Sequence, residues 1–245
     1  MDFVAKTDVG KKRMNNEDNY HFKVYDNDLA YMLVADGLGG YESGEVASKM
    51  LTDIFSKALD ENIEKIKKYD EKKIEKFLKD ILNKANKAIY DLEKTDLKYK
   101  GMGTTIVFLL VLNDNVYYFS IGDSRIYFVN KELNNVEQIT EDDTYVNELI
   151  RINIIDKADA DTHPKKHILT KAVGVFKEIE FKVNVLKKKD GYVILCSDGL
   201  YNMLCIEEIL NVFCRNKFEQ IADKLVIKAN ENGGTDNITV VIMKL

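Results

Sequence analysis

Four acids in this chain stand at the edge of apolar runs: Val34-Ala35-Asp36-Gly37, Ile121-Gly122-Asp123-Ser124, Cys196-Ser197-Asp198-Gly199 and Thr235-Asp236-Asn237-Ile238. A strand buried on both faces places its first charged neighbour at a rim of the fold, so acids far apart in sequence reach one edge. Gathered carboxylates repel one another unless a positive charge lies between them. Oxygen-only ligand sets favour magnesium, manganese or calcium over zinc, and the pattern therefore predicts a multi-metal oxygen site.

Asp-Gly between apolar runs is also a strong hairpin signal. Asp190-Gly191 is such a turn: it follows three lysines and precedes the strand Tyr192 to Cys196. Asp36 and Asp198 instead come after their strands, with no second strand of matching alternation behind them. Leu38-Gly39-Gly40 continues the first, and glycines there let backbone approach a ligand closely.

Gly10-Lys11-Lys12-Arg13-Met14-Asn15-Asn16-Glu17-Asp18 turns from basic to acidic within a few residues. The Arg13 guanidinium offers paired planar donors that match two phosphate oxygens, which a lysine cannot do. Glu17 and Asp18 are candidate ligands, or acceptors for metal-bound water. The competing reading is a solvated loop of local ion pairs.

Periodicity outlines the architecture. Val46 to Leu59 and Ile74 to Leu92 each trace one helical face, with the charged stretch 62–73 between them as a helix end or loop. Strands are expected at 2–8, 19–25, 29–35, 104–112, 115–121, 125–130, 180–186, 192–197 and 238–244, with a tight hairpin at Asn113-Asp114-Asn115. Helices are expected near 205–214 and 217–231, and Thr140 could cap a short one. Hairpin-linked strands with separate helix pairs indicate α+β rather than a doubly wound parallel sheet.

The blocks taken together resemble the metal-dependent Ser/Thr protein phosphatases of the protein phosphatase 2C type, in their bacterial form. In family order they are Arg13-x-x-Asn16-Glu17-Asp18, Val34 to Gly40, Gly44-Glu45-x-Ala47-Ser48, Gly101 to Thr105, Gly122-Asp123-Ser124-Arg125, His163-Pro164 with Leu169-Thr170-x-Ala172-x-Gly174, Ser197 to Leu200, and Gly234 to Thr239. The resemblance implies a four-layer α-β-β-α sandwich of two antiparallel sheets flanked by helix pairs, one catalytic domain over 1–245 with a flap near 140–170. It implies hydrolysis of phosphoserine and phosphothreonine by a hydroxide bridging two Mn2+ or Mg2+ ions, in opposition to a Ser/Thr kinase. Asp36 would bridge the ions, the Gly37 carbonyl would ligate one, Asp198 and Asp236 would complete the first, and Glu17 and Asp18 would act near the second. Asp123 would serve a third, weaker ion, and Arg13 would hold the phosphate. Leu38 stands where many eukaryotic relatives carry a histidine proposed as general acid, and Asn153 where relatives often have glycine. A catalytically silent regulatory module of the same fold is the alternative, although such modules usually lose one of the acids.

Composition narrows the rest. The 245 residues carry a net charge of -5 with dispersed lysines, which disfavours a nucleic-acid surface. The longest apolar run, Thr105 to Leu112, is too short to span a membrane, and no signal-peptide pattern opens the chain. Three cysteines without motif spacing point to a reducing, cytoplasmic setting and form no Cys-x5-Arg phosphate loop. Cys196 sits in an apolar strand pattern, and Cys205 and Cys214 lie in or beside a helical one. All three are read as inert. His163 and His167 are separated by Pro164 and are not expected to form a metal pair. A monomer acting on phosphoprotein substrates is the expectation.

Overall fold

The structure, a computed structural model, describes residues 1–39 and 43–245, without the side chain of Asp161. Gly40 lies outside the described residues. The strands are β1 (Asp2–Asp8), β2 (Asn19–Val24), β3 (Leu29–Ala35), β4 (Gly37–Leu38), β5 (Gly103–Thr104), β6 (Ile106–Leu112), β7 (Asn115–Ile121), β8 (Arg125–Asn130), β9 (Val136–Gln138), β10 (Asn184–Lys187), β11 (Gly191–Cys196) and β12 (Ile238–Lys244). The helices are α1 (Ser43–Ile66), α2 (Glu71–Glu93), α3 (Tyr145–Arg151), α4 (Asp198–Tyr201), α5 (Ile206–Arg215) and α6 (Phe218–Glu231).

Two antiparallel sheets, ordered β1-β12-β11-β8-β9 and β10-β7-β6-β3-β2, pack face to face. Alternation along single strands explains why they read as continuous apolar runs. In β3, Leu29, Tyr31, Leu33 and Ala35 enter the core under α1 and α2, while Ala30, Met32 and Val34 enter the layer between the sheets. In β12, Ile238, Val240 and Ile242 face the second helix layer, and Val241 and Met243 face the first sheet. Such two-sided burial is worth roughly 1.5–3 kcal/mol per large side chain. The result is the expected α+β four-layer sandwich.

Three local expectations change, and the helix end or loop expected over 62–73 is met. The charged stretch 62–73 is two helix ends around a short turn: Ile66 and Ile74 are fully buried, and Asp70 caps α2 by accepting from the Lys73 N–H at 2.9 Å. The run 104–112 breaks at Thr105, whose hydroxyl and amide are taken up by the Asp36 backbone. In 180–186 the alternation survives as burial, with Phe181 and Val183 packed into the helical core, but ladder pairing with β7 covers only Asn184–Lys187. Thr140 is not a helix cap, because its hydroxyl accepts from the Ile126 N–H at 3.0 Å; Thr144 caps α3 instead. The two-residue turn at Asn113 and Asp114 joins β6 to β7 as expected, with Asn113 at φ 54.

Candidate active site

Each of the four acids is delivered by a strand end. Asp36 follows β3, its N–H donating to Thr105 Oγ1 at 3.0 Å and its carbonyl accepting from the Thr105 N–H at 2.8 Å and Thr104 Oγ1 at 2.9 Å. Thr105 Oγ1 also meets Ser124 Oγ at 2.7 Å, so one buried threonine links Asp36 to the neighbour of Asp123. Asp123 lies between β7 and β8, and its carbonyl accepts from the Tyr201 hydroxyl at 3.0 Å. Asp198 opens α4 directly beyond β11, and Asn202 Nδ2 donates to its Oδ2 at 3.0 Å. Asp236 precedes β12 and accepts from Arg13 at 2.7 Å.

β3 and β7 belong to one sheet and β11 and β12 to the other, so both sheets contribute to one end of the sandwich. Arg13, Glu17, Asp36, Gly37, Leu38, Asp123, Asp198 and Asp236 line a cleft of about 410 Å³. Asp18 lies behind this lining: it is buried, Ser197 Oγ donates to its Oδ2 at 2.7 Å, and its Oδ1 has no partner. A close approach explains two glycines. A Cβ on Gly37 would lie 2.3 Å from the Gly44 carbonyl oxygen, and one on Gly44 would lie 2.6 Å from Glu17 Oε2. Side chains at either position would therefore push Glu17 out of place at the start of α1.

The electrostatics are those of an uncompensated acidic cleft. Burial raises Asp36 well above the ordinary carboxylate range, reinforced by Asp18, Asp198, Asp123 and Asp236. Burial, then Asp236, pushes Asp198 up to about 6; burial, then Asp198, pushes Asp123 up to about 7. Burial pushes Asp18 up to about 7, against the hydrogen bond from Ser197. Glu17 is raised by burial and partly held down by Arg13. These residues fit hard divalent ions: the donors are all oxygen, the charge is one-signed apart from Arg13, and Asp18 Oδ1 is a buried acceptor without a donor. Among the described residues no three His, Cys, Asp or Glu side chains are gathered closely enough to hold a metal ion by themselves. The acids ring the cleft instead, which suits ions that keep several waters.

Several contributors escaped the sequence reading. Asn237 straps the Arg13 loop to the start of β12: its Oδ1 accepts from the Glu17 N–H at 2.8 Å, and its Nδ2 donates to the Val9 and Asn15 carbonyls at 3.0 and 2.9 Å. Its only signal is an amide next to an acid in a tight turn. His167 and Asn202 line the cleft although neither lies in a strand-end pattern. The three cysteines differ in exposure. Cys196 is buried, whereas Cys205, the N-cap of α5, and Cys214, within α5, are exposed.

Comparison with known proteins gives a consistent result. The family described as Protein phosphatase 2C matches residues 9–237. The chain is 35% identical over 241 residues to the serine/threonine phosphatase stp of Listeria welshimeri, covering 98% of this chain and 94% of that protein. It superposes on the serine/threonine phosphatase Stp1 from Staphylococcus aureus with a TM-score of 0.89 and 31% identity, covering 99% of this chain and 94% of that one. The catalytic domain of the serine threonine protein phosphatase PstP, solved in complex with two manganese ions, gives a TM-score of 0.81 and 29% identity, with 98% and 96% covered.

Proposed function

The chain belongs to the protein phosphatase 2C family and is a metal-dependent phosphoserine/phosphothreonine phosphatase; we propose that Asp36, Gly37, Asp198 and Asp236 hold its two core Mn2+ or Mg2+ ions. Glu17 and Asp18 act beside the second ion, and Asp123 serves a third. When bound, the ion pair supplies the Lewis acidity that lowers the pKa of a water and neutralises phosphoryl oxygens. The observation that carries this assignment is the ring of carboxylates from both sheets around one cleft, with Arg13 as the cation paired to it.

Arg13 grips the substrate phosphate. Its side chain is 54% exposed and bound to Asp236 through one nitrogen, which leaves donors of the guanidinium free to turn toward an oxyanion. Asp36 is held from its own backbone by Thr104 and Thr105, so its carboxylate faces the cleft without a large rearrangement. Leu38 has no proton to give, and the alkoxide leaving group takes its proton from water ordered near Asp123.

The whole chain acts as one catalytic domain, with residues 140–170 as a flap beside the cleft. We place it in the cytoplasm as a monomeric signalling enzyme that opposes a Ser/Thr kinase on shared phosphoproteins. The unspaced, free cysteines support the reducing compartment. Among the described residues no helix is long and apolar enough to cross a membrane. The test is hydrolysis of a phosphothreonine peptide in excess chelator: activity is lost, and manganese or magnesium restores it while calcium does not. Full turnover with chelator present overturns the metal assignment.

A further inference from the structure

Arg125 ends the Gly122-Asp123-Ser124-Arg125 block and lines a neighbouring cavity rather than the phosphate cleft, so phosphate binding does not account for it. Its Nε donates to both Asp142 oxygens at 3.0 Å, one terminal nitrogen donates to Asp142 Oδ2 at 2.7 Å, and the other donates to the Tyr127 hydroxyl at 3.0 Å. The flat guanidinium lies over the Tyr201 ring, 3.5 Å from its centroid. The two charged side chains are 24% and 7% exposed, unlike the surface pairs elsewhere, so loss of either partner would strand a buried charge.

Both ends of this stack lead toward the ions. On one side the Tyr201 hydroxyl donates to the Asp123 carbonyl at 3.0 Å, and Tyr201 closes the single-turn helix that Asp198 opens. On the other side Asp142 is held by Gln138 at 3.2 Å, and its carbonyl accepts from Asn147 of α3 at 2.9 Å. The next residue, Asp143, exchanges hydrogen bonds with Gly122: its N–H donates to the Gly122 carbonyl at 2.8 Å, and its Oδ2 accepts the Gly122 N–H at 3.2 Å. The backbone on each side of Asp123 is thus gripped, once by the root of the flap and once by α4.

We propose that Arg125 is a positioning residue for Asp123, clamping Tyr201 against Asp142 so that the flap root and α4 set the geometry of the weakest ion site. The inference rests on the assignment of Asp123 to the third ion. It links the flap to the ions through a planar contact that lysine cannot reproduce. A displacement of the flap root is then felt at Asp123 without any flap residue touching an ion.

The test uses the full chain with Arg125→Lys, Tyr201→Phe and Asp123→Ala, read by equilibrium titration of Mn2+ followed by EPR and by steady-state kinetics on a phosphothreonine peptide. Arg125→Lys and Tyr201→Phe keep the two tight ions but weaken the last by roughly 10-fold, the usual scale for outer partners of ligands. The kcat falls in parallel while KM stays within about twofold. In the Asp123→Ala background, Arg125→Lys costs less than about a further twofold, because the shared target is already gone. An unchanged Mn2+ isotherm in Tyr201→Phe and Arg125→Lys, or fully additive losses in the double variant, overturns the positioning role even if stability falls. If Asp123→Ala itself leaves the weak ion bound, the third-ion assignment is the part that fails. Tyr201→Phe keeps the ring and loses only the hydroxyl, so it decides the question if Arg125→Lys does not fold.

Discussion

The floor of the cleft and residues 140–170, the segment we propose as its flap, border the same space but are built on opposite terms. Every residue of β3 is buried, and the Asp36 amide and carbonyl at its end are satisfied by Thr104 and Thr105. In the flap, Ile152, Ile154 and Ile168 are 59%, 64% and 49% exposed, and its side-chain hydrogen bonds are largely local, as between Arg151 and Glu148 or Thr162 and the Asp159 carbonyl. Among the described residues the root is what is tied to the body, by Asp142 to Arg125, by Asp143 to Gly122 and by Thr140 to Ile126. A rigid floor can hold charges in an unfavourable arrangement, because the surrounding core over-determines their positions. The exposed apolar flap contributes little to stability and leaves its surface available to a protein substrate.

The sharpest way to break this contrast is to exchange its effects. Asp36→Ala should lower kcat by at least ~10³, about 4 kcal/mol of barrier, whereas Ile154→Ser should leave kcat on p-nitrophenyl phosphate within about twofold. Equal losses would mean that floor and flap are not separate. Arg13→Ala comes next. It should raise KM for a phosphopeptide by roughly tenfold and lower kcat less, the mark of lost uniform binding, with lysine a partial substitute. A KM that does not move would return Arg13 to the solvated loop.

A smaller effect concerns pH. Asp18, Asp123 and Asp198 are raised by burial and mutual repulsion to about 7, 7 and 6, so the folded state binds more protons than the unfolded chain between about 4 and those values. Stability of the metal-stripped protein must therefore fall as pH rises through that window. Its melting temperature at pH 5.5 should exceed that at pH 7.5 by roughly 5 °C. Manganese should stabilise it more at the higher pH. A metal-stripped protein that gains stability between pH 5.5 and 7.5 contradicts the strained floor. The smallest expected change is in the thiols. Burial pushes the Cys196 thiol up to about 12, and Cys205 and Cys214 lie outside the acidic cleft. Serine at each position should leave kcat near normal, and inactivation by modifying any one of them with ions still bound would overturn the thiol-free mechanism.

Legibility followed the same division. The floor could be read because β3, β11 and β12 are almost wholly buried and β7 ends on the buried Ile121, so that each appears as an apolar run that stops where the core stops. The acids at those stops were therefore found one by one. The flap could not be read as well, because its pattern is set by a few contacts that periodicity does not encode. Thr140 looked like a helix cap, yet its hydroxyl was already used by the β8 backbone. Asn153 does occupy a left-handed turn, at φ 57, where glycine would be unstrained.

What the sequence determined by itself was which residues reach the rim and what charge they carry, since burial periodicity and side-chain chemistry are local properties. What only the tertiary structure decided was their grouping. Asp18, adjacent to Glu17 and of the same chemistry, went below the cleft and bonded Ser197, while Glu17 went to the lining. Asn237 and Thr105 acquired their importance from partners 220 and 69 positions away. Arg125 became a link between flap and ions only because β8, α4 and residues 138–147 meet there. Such choices depend on which polar atoms remain unsatisfied once the sheets have packed, and a buried polar atom finds its partner in space rather than along the chain.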